Sequence, residues 1–318
     1  MEQVYSDEQL IKHWPGFTSH VMEVNGTQLH FVDGGGEGQV LICLPGWPQT
    51  WYSYRSVALP LADRFRVIVV DIRGMGSSAT PASGYDKKTM ATDVYELMRL
   101  LGIGRAYVMG HDIGGMVACS LAHNYPEVVE RLILADGLHP NEGMMQMKLM
   151  PPPETFGKKI DHQQPYTWWM SFNQVKELPE KLMEGRYRYL LDWLFDYVMV
   201  DSSKMPDFDR DVYAYVYNQP ARIRASNGWY QAFNQDIADA RNYSKLRMPV
   251  LGIASNVSYG FYQYTLPTIA ENYQLLNLEN TGHYMFEENS SGVCEAIMAY
   301  LTNSNEDNDG IVSMVSFN

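Results

Sequence analysis

The chain has 318 residues, and 37 acidic against 24 basic side chains give a net charge of −13. Such a surface repels nucleic acid and anionic membranes, so the expected partner is a small molecule, or another protein, with a homodimer as one form. With 46% hydrophobic and 19% charged residues the chain is an ordinary globular mixture, which excludes disorder as its main state.

Cys43, Cys119 and Cys294 lie far apart, with neither disulfide-scaffold nor zinc-ligand spacing, and no metal or other cofactor is expected. The N-terminal MEQVYSDEQL lacks the basic and apolar regions of a secretory signal. No apolar run nears the roughly 18 residues of a membrane helix. The expected location is therefore cytoplasmic, and the Asn-x-Ser/Thr triplets at Asn25, Asn242, Asn256 and Asn289 carry no weight.

In chain order, Ser19 to Val24 and Gln28 to Asp33 alternate polar and apolar residues around Asn25-Gly26, a hairpin signal. Apolar runs at 40–44, 65–71, 106–110 and 132–136 read as strands, with helical patterns at 89–101 and 114–123 between the last three. This alternation predicts an α/β fold with a mostly parallel central sheet flanked by helices. The pattern stops at residue 137 and resumes with strands at 250–254 and 274–278 and a helix at 292–301.

The interruption has its own chemistry. Residues 137–243 hold 14 acids and 12 bases, 18 aromatics and 8 of the 19 methionines, including Met144, Met145, Met147 and Met150. They are expected to form a mainly helical, apolar cap, inserted into a body made of 1–136 and 244–302. Residues 303–318 read as an acidic, flexible tail.

The chemistry-bearing residues fall at predicted strand ends. Gly110-His111-Asp112-Ile113-Gly114-Gly115 follows a strand and opens a helix, with small residues where a sharp turn has no room for side chains. This is a nucleophile elbow with aspartate at its tip, and a carboxylate attacks a saturated electrophilic carbon to leave an alkyl ester. Freeing that ester requires a general base to activate water. His283 lies just past the last strand and fits that role. The loop after 250–254 offers no carboxylate, so Asp136, at the end of the adjacent strand, is the candidate orienting acid. The turn Pro45-Gly46-Trp47-Pro48 can aim the Trp47 N–H at the spot served by the Ile113 N–H, making an oxyanion hole. His111 is expected only to pack or hydrogen-bond locally, and the methionines to fill gaps or line an entrance.

With these motifs the chain resembles the α/β-hydrolase family, and within it the epoxide hydrolases and dehalogenases that use an aspartate nucleophile. Pro45 to Tyr52 looks like their His-Gly-x-Pro segment, with proline in place of histidine, and Asp71-Ile72-Arg73-Gly74-Met75-Gly76-Ser77-Ser78 matches their Asp-x-Arg-Gly-x-Gly-x-Ser turn. The resemblance implies an α/β-hydrolase fold with a cap domain, Asp112 as nucleophile, His283 as base, and Trp47 and Ile113 as oxyanion donors. An acid at Asp136 is similar to the Cif-type enzymes. Trp229-Tyr230-Gln231-Ala232 resembles the cap motif whose tyrosine protonates the opening epoxide, which implies Tyr230. Trp168-Trp169 stands where Cif-type enzymes and fluoroacetate dehalogenases have Trp-His, and an indole donates a hydrogen bond but no proton. Trp168, Trp169 and Trp229 are expected to wall the substrate pocket.

The function expected is therefore hydrolysis of a neutral, apolar epoxide. A haloalkane or haloacid dehalogenase would use the same nucleophile and base, although haloalkane dehalogenases commonly place tryptophan where Ile113 stands. A non-hydrolytic binding or biosynthetic protein on this fold is the third reading.

Overall fold

The computed structural model describes residues 2–147, 150–151, 153, 155–157, 159–161 and 165–302. The expected tail at 303–318 lies outside the described residues. Eight strands form one sheet: β1 (Thr18–Val24), β2 (Thr27–Asp33), β3 (Val40–Leu44), β4 (Arg66–Val70), β5 (Ala106–His111), β6 (Val129–Ala135), β7 (Val250–Ser255) and β8 (Tyr273–Leu278). Their order is β1-β2-β4-β3-β5-β6-β7-β8. The first two ladders, β1 with β2 and β2 with β4, are antiparallel, and the rest are parallel. Asn25 and Gly26 both have positive φ, 44° and 72°, which gives the β1–β2 turn the twist of its flanking strands.

The parallel strands are nearly continuous apolar runs because helices cover both faces. Val67, Ile68, Val69 and Val70 are completely buried, as are Leu132 to Ala135. Helices Lys87–Leu100, Ile113–Asn124 and Ser290–Thr302 match the predicted ones to within two residues. Tyr259–Ile269 is a further helix, which the sequence conceals because Pro267 lies inside it. Tyr262, Thr265 and Leu266 bury one side of that helix, and packing outweighs the lost hydrogen bond.

Between β6 and β7 lie helices Trp168–Phe172, Leu178–Met183, Tyr187–Val198, Asp207–Tyr217, Pro220–Gln231 and Phe233–Ala240. Tyr187, Leu190, Leu191, Leu194, Phe195 and Val198 recur at helical spacing and bury one stripe. This insertion is bolted to the body by polar contacts. Lys87, fully buried, donates from Nζ to Asp236 Oδ2 at 2.9 Å and to the Trp229 carbonyl at 2.7 Å, while its N–H reaches Asp236 Oδ1 at 2.7 Å. Arg55 pairs with Asp209 and, at 3.2 Å, with Glu287.

Removing one partner of the Lys87–Asp236 pair strands a buried charge, whereas an apolar pair of similar volume does not. Asp236→Ala should cost about 3–5 kcal/mol in denaturant unfolding, and Lys87→Met with Asp236→Leu clearly less. Equal losses in the two proteins would contradict this account.

Candidate active site

β5 ends at His111 and the next helix starts at Ile113, so Asp112 alone makes the turn between them. Its backbone lies at φ 50° and ψ −120°, a region costing a non-glycine residue of order 1–3 kcal/mol. The surrounding glycines answer to crowding. A Cβ at Gly110 would lie 2.3 Å from the Gly114 carbonyl oxygen, and one at Gly114 would lie 2.1 Å from that of Leu44. At Gly46 it would strike Asp112 Cβ at 2.4 Å. The oxyanion turn and the elbow are therefore in backbone contact, and the Trp47 N–H donates to Asp112 Oδ1 at 2.8 Å. The Asp112 side chain makes no capping hydrogen bond to the helix it opens.

The turn carrying Trp47 is itself anchored by Asp71. Its Oδ1 accepts the Trp51 N–H at 2.7 Å and its Oδ2 meets His30 Nδ1 at 2.8 Å. A Cβ on Gly76 would come within 1.9 Å of Asp71 Oδ2. Arg73 closes a two-pronged pair with Asp93 at 2.7 and 2.6 Å. The Asp-x-Arg-Gly-x-Gly-x-Ser turn is thus a brace for the turn carrying Trp47.

His283 stands between two carboxylates, with Nε2 3.5 Å from Asp112 Oδ2 and Nδ1 3.2 Å from Asp136 Oδ2. Asp136 Oδ1 accepts the Ser255 N–H at 2.8 Å and the Ser258 hydroxyl. Burial favours its neutral form, but the bonds from His283, Ser255 and Ser258 outweigh this and pull its pKa below the usual carboxylate value. Burial likewise opposes charge on His283, yet the two carboxylates raise its pKa to about 10. His111 behaves oppositely: burial and the neighbouring His283 lower it to about 4. Neutral His111 can therefore donate from Nε2 to the His283 carbonyl at 2.8 Å, fixing the base's backbone.

Asp112, Asp136, His283 and Trp47 open into a cavity of about 320 Å³. Met116, Leu138, Met144, Met147, Ile160 and Trp169 contribute apolar wall. Met145 and Met150 are exposed instead. Of the three expected wall tryptophans, only Trp169 lines this cavity. Trp168 packs behind it on Trp193, with ring centroids 5.4 Å apart, and Trp229 is fully buried with Nε1–H bonded to the Arg73 carbonyl at 2.8 Å. Tyr230 is not among the residues lining this cavity; it is buried beside Trp47, their rings 5.7 Å apart and nearly perpendicular, and Asp112 is the largest charge acting on its phenol. Burial first, then that charge, keeps its pKa well above 10.

Ser255, Ser258 and Tyr187 also hold the site together, and the sequence does not single them out. Ser255 and Ser258 fall in the loop dismissed for lacking a carboxylate, and their value is as donors to one. The Tyr187 hydroxyl accepts the Trp47 Nε1–H at 2.9 Å, tying the insertion to the oxyanion turn. Nothing in its sequence distinguishes it from neighbouring tyrosines.

Since Asp112 supplies one of the two anions that hold the proton on His283, Asp112→Asn should lower the His283 pKa. The histidine ring resonances followed by NMR would report a downward shift, and an unmoved titration would assign the elevation to Asp136 alone.

A family described as the alpha/beta hydrolase fold matches residues 39–290. A soluble epoxide hydrolase from Corynebacterium sp. (strain C12) is 31% identical over 288 residues, covering 89% of this chain and 97% of that protein. Among solved structures, Cfl2 from Burkholderia cenocepacia superposes with a TM-score of 0.80 at 30% identity, covering 93% of this chain and 98% of its own. Epoxide hydrolase CorEH gives 0.77 at 30% identity, with 90% and 98% covered.

Proposed function

This chain belongs to the α/β-hydrolase family, among its epoxide hydrolases, and we propose that it adds water to an apolar epoxide through a covalent ester on Asp112. The observation that carries this reading is the Asp112 carboxylate on the floor of an apolar cavity, with Oδ1 on the Trp47 N–H and Oδ2 toward His283. The insertion spanning 137–243 serves as the cap that supplies most of the wall.

In the first step Asp112 Oδ2 attacks an oxirane carbon, the carbon–oxygen bond breaks, and the oxygen takes the proton of the Tyr230 phenol. Esterification removes the charge of Asp112, and with it one of the two anions that hold His283 near pKa 10. The imidazolium then gives up its proton, which restores the phenol by way of solvent, and neutral His283 becomes a base. Water attacks the ester carbonyl while His283 Nε2 takes a proton, and the Trp47 N–H faces the oxyanion that forms at Oδ1. Collapse releases the diol and regenerates the carboxylate beside an imidazolium. Asp136 stabilises that cation and holds the ring's orientation.

A dehalogenase would share the nucleophile and the base. Ile113, which has no indole N–H to hold a halide, speaks against the haloalkane version, and the apolar wall speaks against small anionic haloacids. A non-hydrolytic binder has no need of Asp112, Asp136 and His283 in one chain of contacts.

Asp112→Ala should abolish diol formation, and His283→Gln should form ester without hydrolysing it. Mass spectrometry of the Asp112 peptide after incubation with epoxides should then find the substrate's mass added. Halide released from haloalkanes, with no diol from any epoxide, would favour the dehalogenase. Unaltered ligand with no adduct would favour a binder.

A further inference from the structure

The charge of Asp112 acts on four phenols: Tyr217, Tyr230, Tyr262 and Tyr284. Two are committed elsewhere. The Tyr262 hydroxyl donates to the Leu134 carbonyl at 3.2 Å and accepts the Gly137 N–H at 2.7 Å, and the Tyr217 hydroxyl donates to the Gln49 carbonyl at 3.0 Å. The hydroxyls of Tyr230 and Tyr284 make no hydrogen bond among the described residues. Tyr284 follows the base directly and lines the same cavity as Asp112, Trp47 and His283. Its ring is wedged edge-on against Phe195, with centroids 4.7 Å apart, and lies 5.1 Å from the His283 ring.

Resting on the epoxide reading, we propose that Tyr284 is a second ring-opening catalytic residue, its phenol donating to the epoxide oxygen alongside Tyr230. Tyr230 comes from the insertion and Tyr284 from the loop after β8, so the oxygen would be held between two parts of the fold. A developing alkoxide concentrates its charge on one atom, and in an apolar cavity a second donor is worth more than in water. Trp169, the wall residue, has no proton to transfer. Burial, and after it the charge of Asp112, raises the Tyr284 pKa well above 10, so the group remains a donor. As the epoxide opens, negative charge leaves Asp112 and appears on the oxygen. One phenol transfers its proton and the other hydrogen-bonds. No atoms are added to the step described above.

The test is single-turnover formation of the Asp112 ester, followed in a His283→Gln background where it accumulates. Adding Tyr284→Phe, which keeps the ring packing, should slow ester formation about 10- to 100-fold, with Tyr230→Phe slower still and the double variant slowest. In the enzyme with His283 intact, Tyr284→Phe should leave the rate of ester hydrolysis unchanged, since that step has no ring to open. Ester formation at the parent rate would overturn the assignment while leaving the epoxide hydrolase reading standing. Equal slowing of both steps would also overturn it, by revealing a packing role. If the His283→Gln parent forms no ester with any epoxide, the underlying reading fails and the assignment fails with it.

Discussion

His283 is the single cation between two carboxylates in a largely buried site, and its neighbours are arranged to keep that balance. Asp112 and Asp136 would each be costly to bury alone, and together they would repel. The imidazolium satisfies both, with Nε2 3.5 Å from one and Nδ1 3.2 Å from the other. Each carboxylate also has backbone help on its remaining oxygen, Asp112 from Trp47 and Asp136 from Ser255. A second cation would spoil the arrangement. His111, whose ring centroid is only 4.8 Å from that of His283, has a pKa of about 4 and contributes a donor instead of a charge. Adjacent histidines therefore differ in protonation because only one of them touches carboxylates.

The same electrostatics ties the chemistry to the architecture. Asp112 reaches its place because β5 and the following helix meet with no residue between them but this one. Trp47 reaches its place because Asp71 holds Trp51, and because the Tyr187 hydroxyl holds its indole from above. Lys87 with Asp236 and Arg55 with Asp209 add fixed points between the insertion and the sheet. The cavity roof is thereby held in register with its floor.

Much of this was legible because crowding leaves traces in sequence. The glycines at 110, 114 and 46 mark places where a Cβ would enter backbone, and the strand-helix alternation marks the sheet. Asp112, Asp136 and His283 followed from residue type and position at strand ends. Contacts between distant side chains left no comparable trace. Trp229 was expected in the pocket because its aromatic neighbourhood looks like a container, yet its N–H serves the Arg73 carbonyl. Ser255 and Ser258 looked like an absence of an acid and proved to be donors to one. The helix Tyr259–Ile269 was hidden by Pro267, since propensity says nothing of the burial of Tyr262 and Leu266 that holds it.

The uneven charge of the chain bears on the same point. The insertion is close to neutral, and the wall it gives the cavity is made mainly of methionine, isoleucine, valine and tryptophan, while the acidity lies elsewhere. A wall without charges leaves the fields of Asp112, His283 and Asp136 unscreened, so a change of one charge at Asp112 is felt strongly at the imidazole. In such a site, a substrate that brings its own charge would disturb the balance around His283. The apolar wall therefore disfavours a charged guest by the same property that makes the imidazole of His283 sensitive to the charge of Asp112.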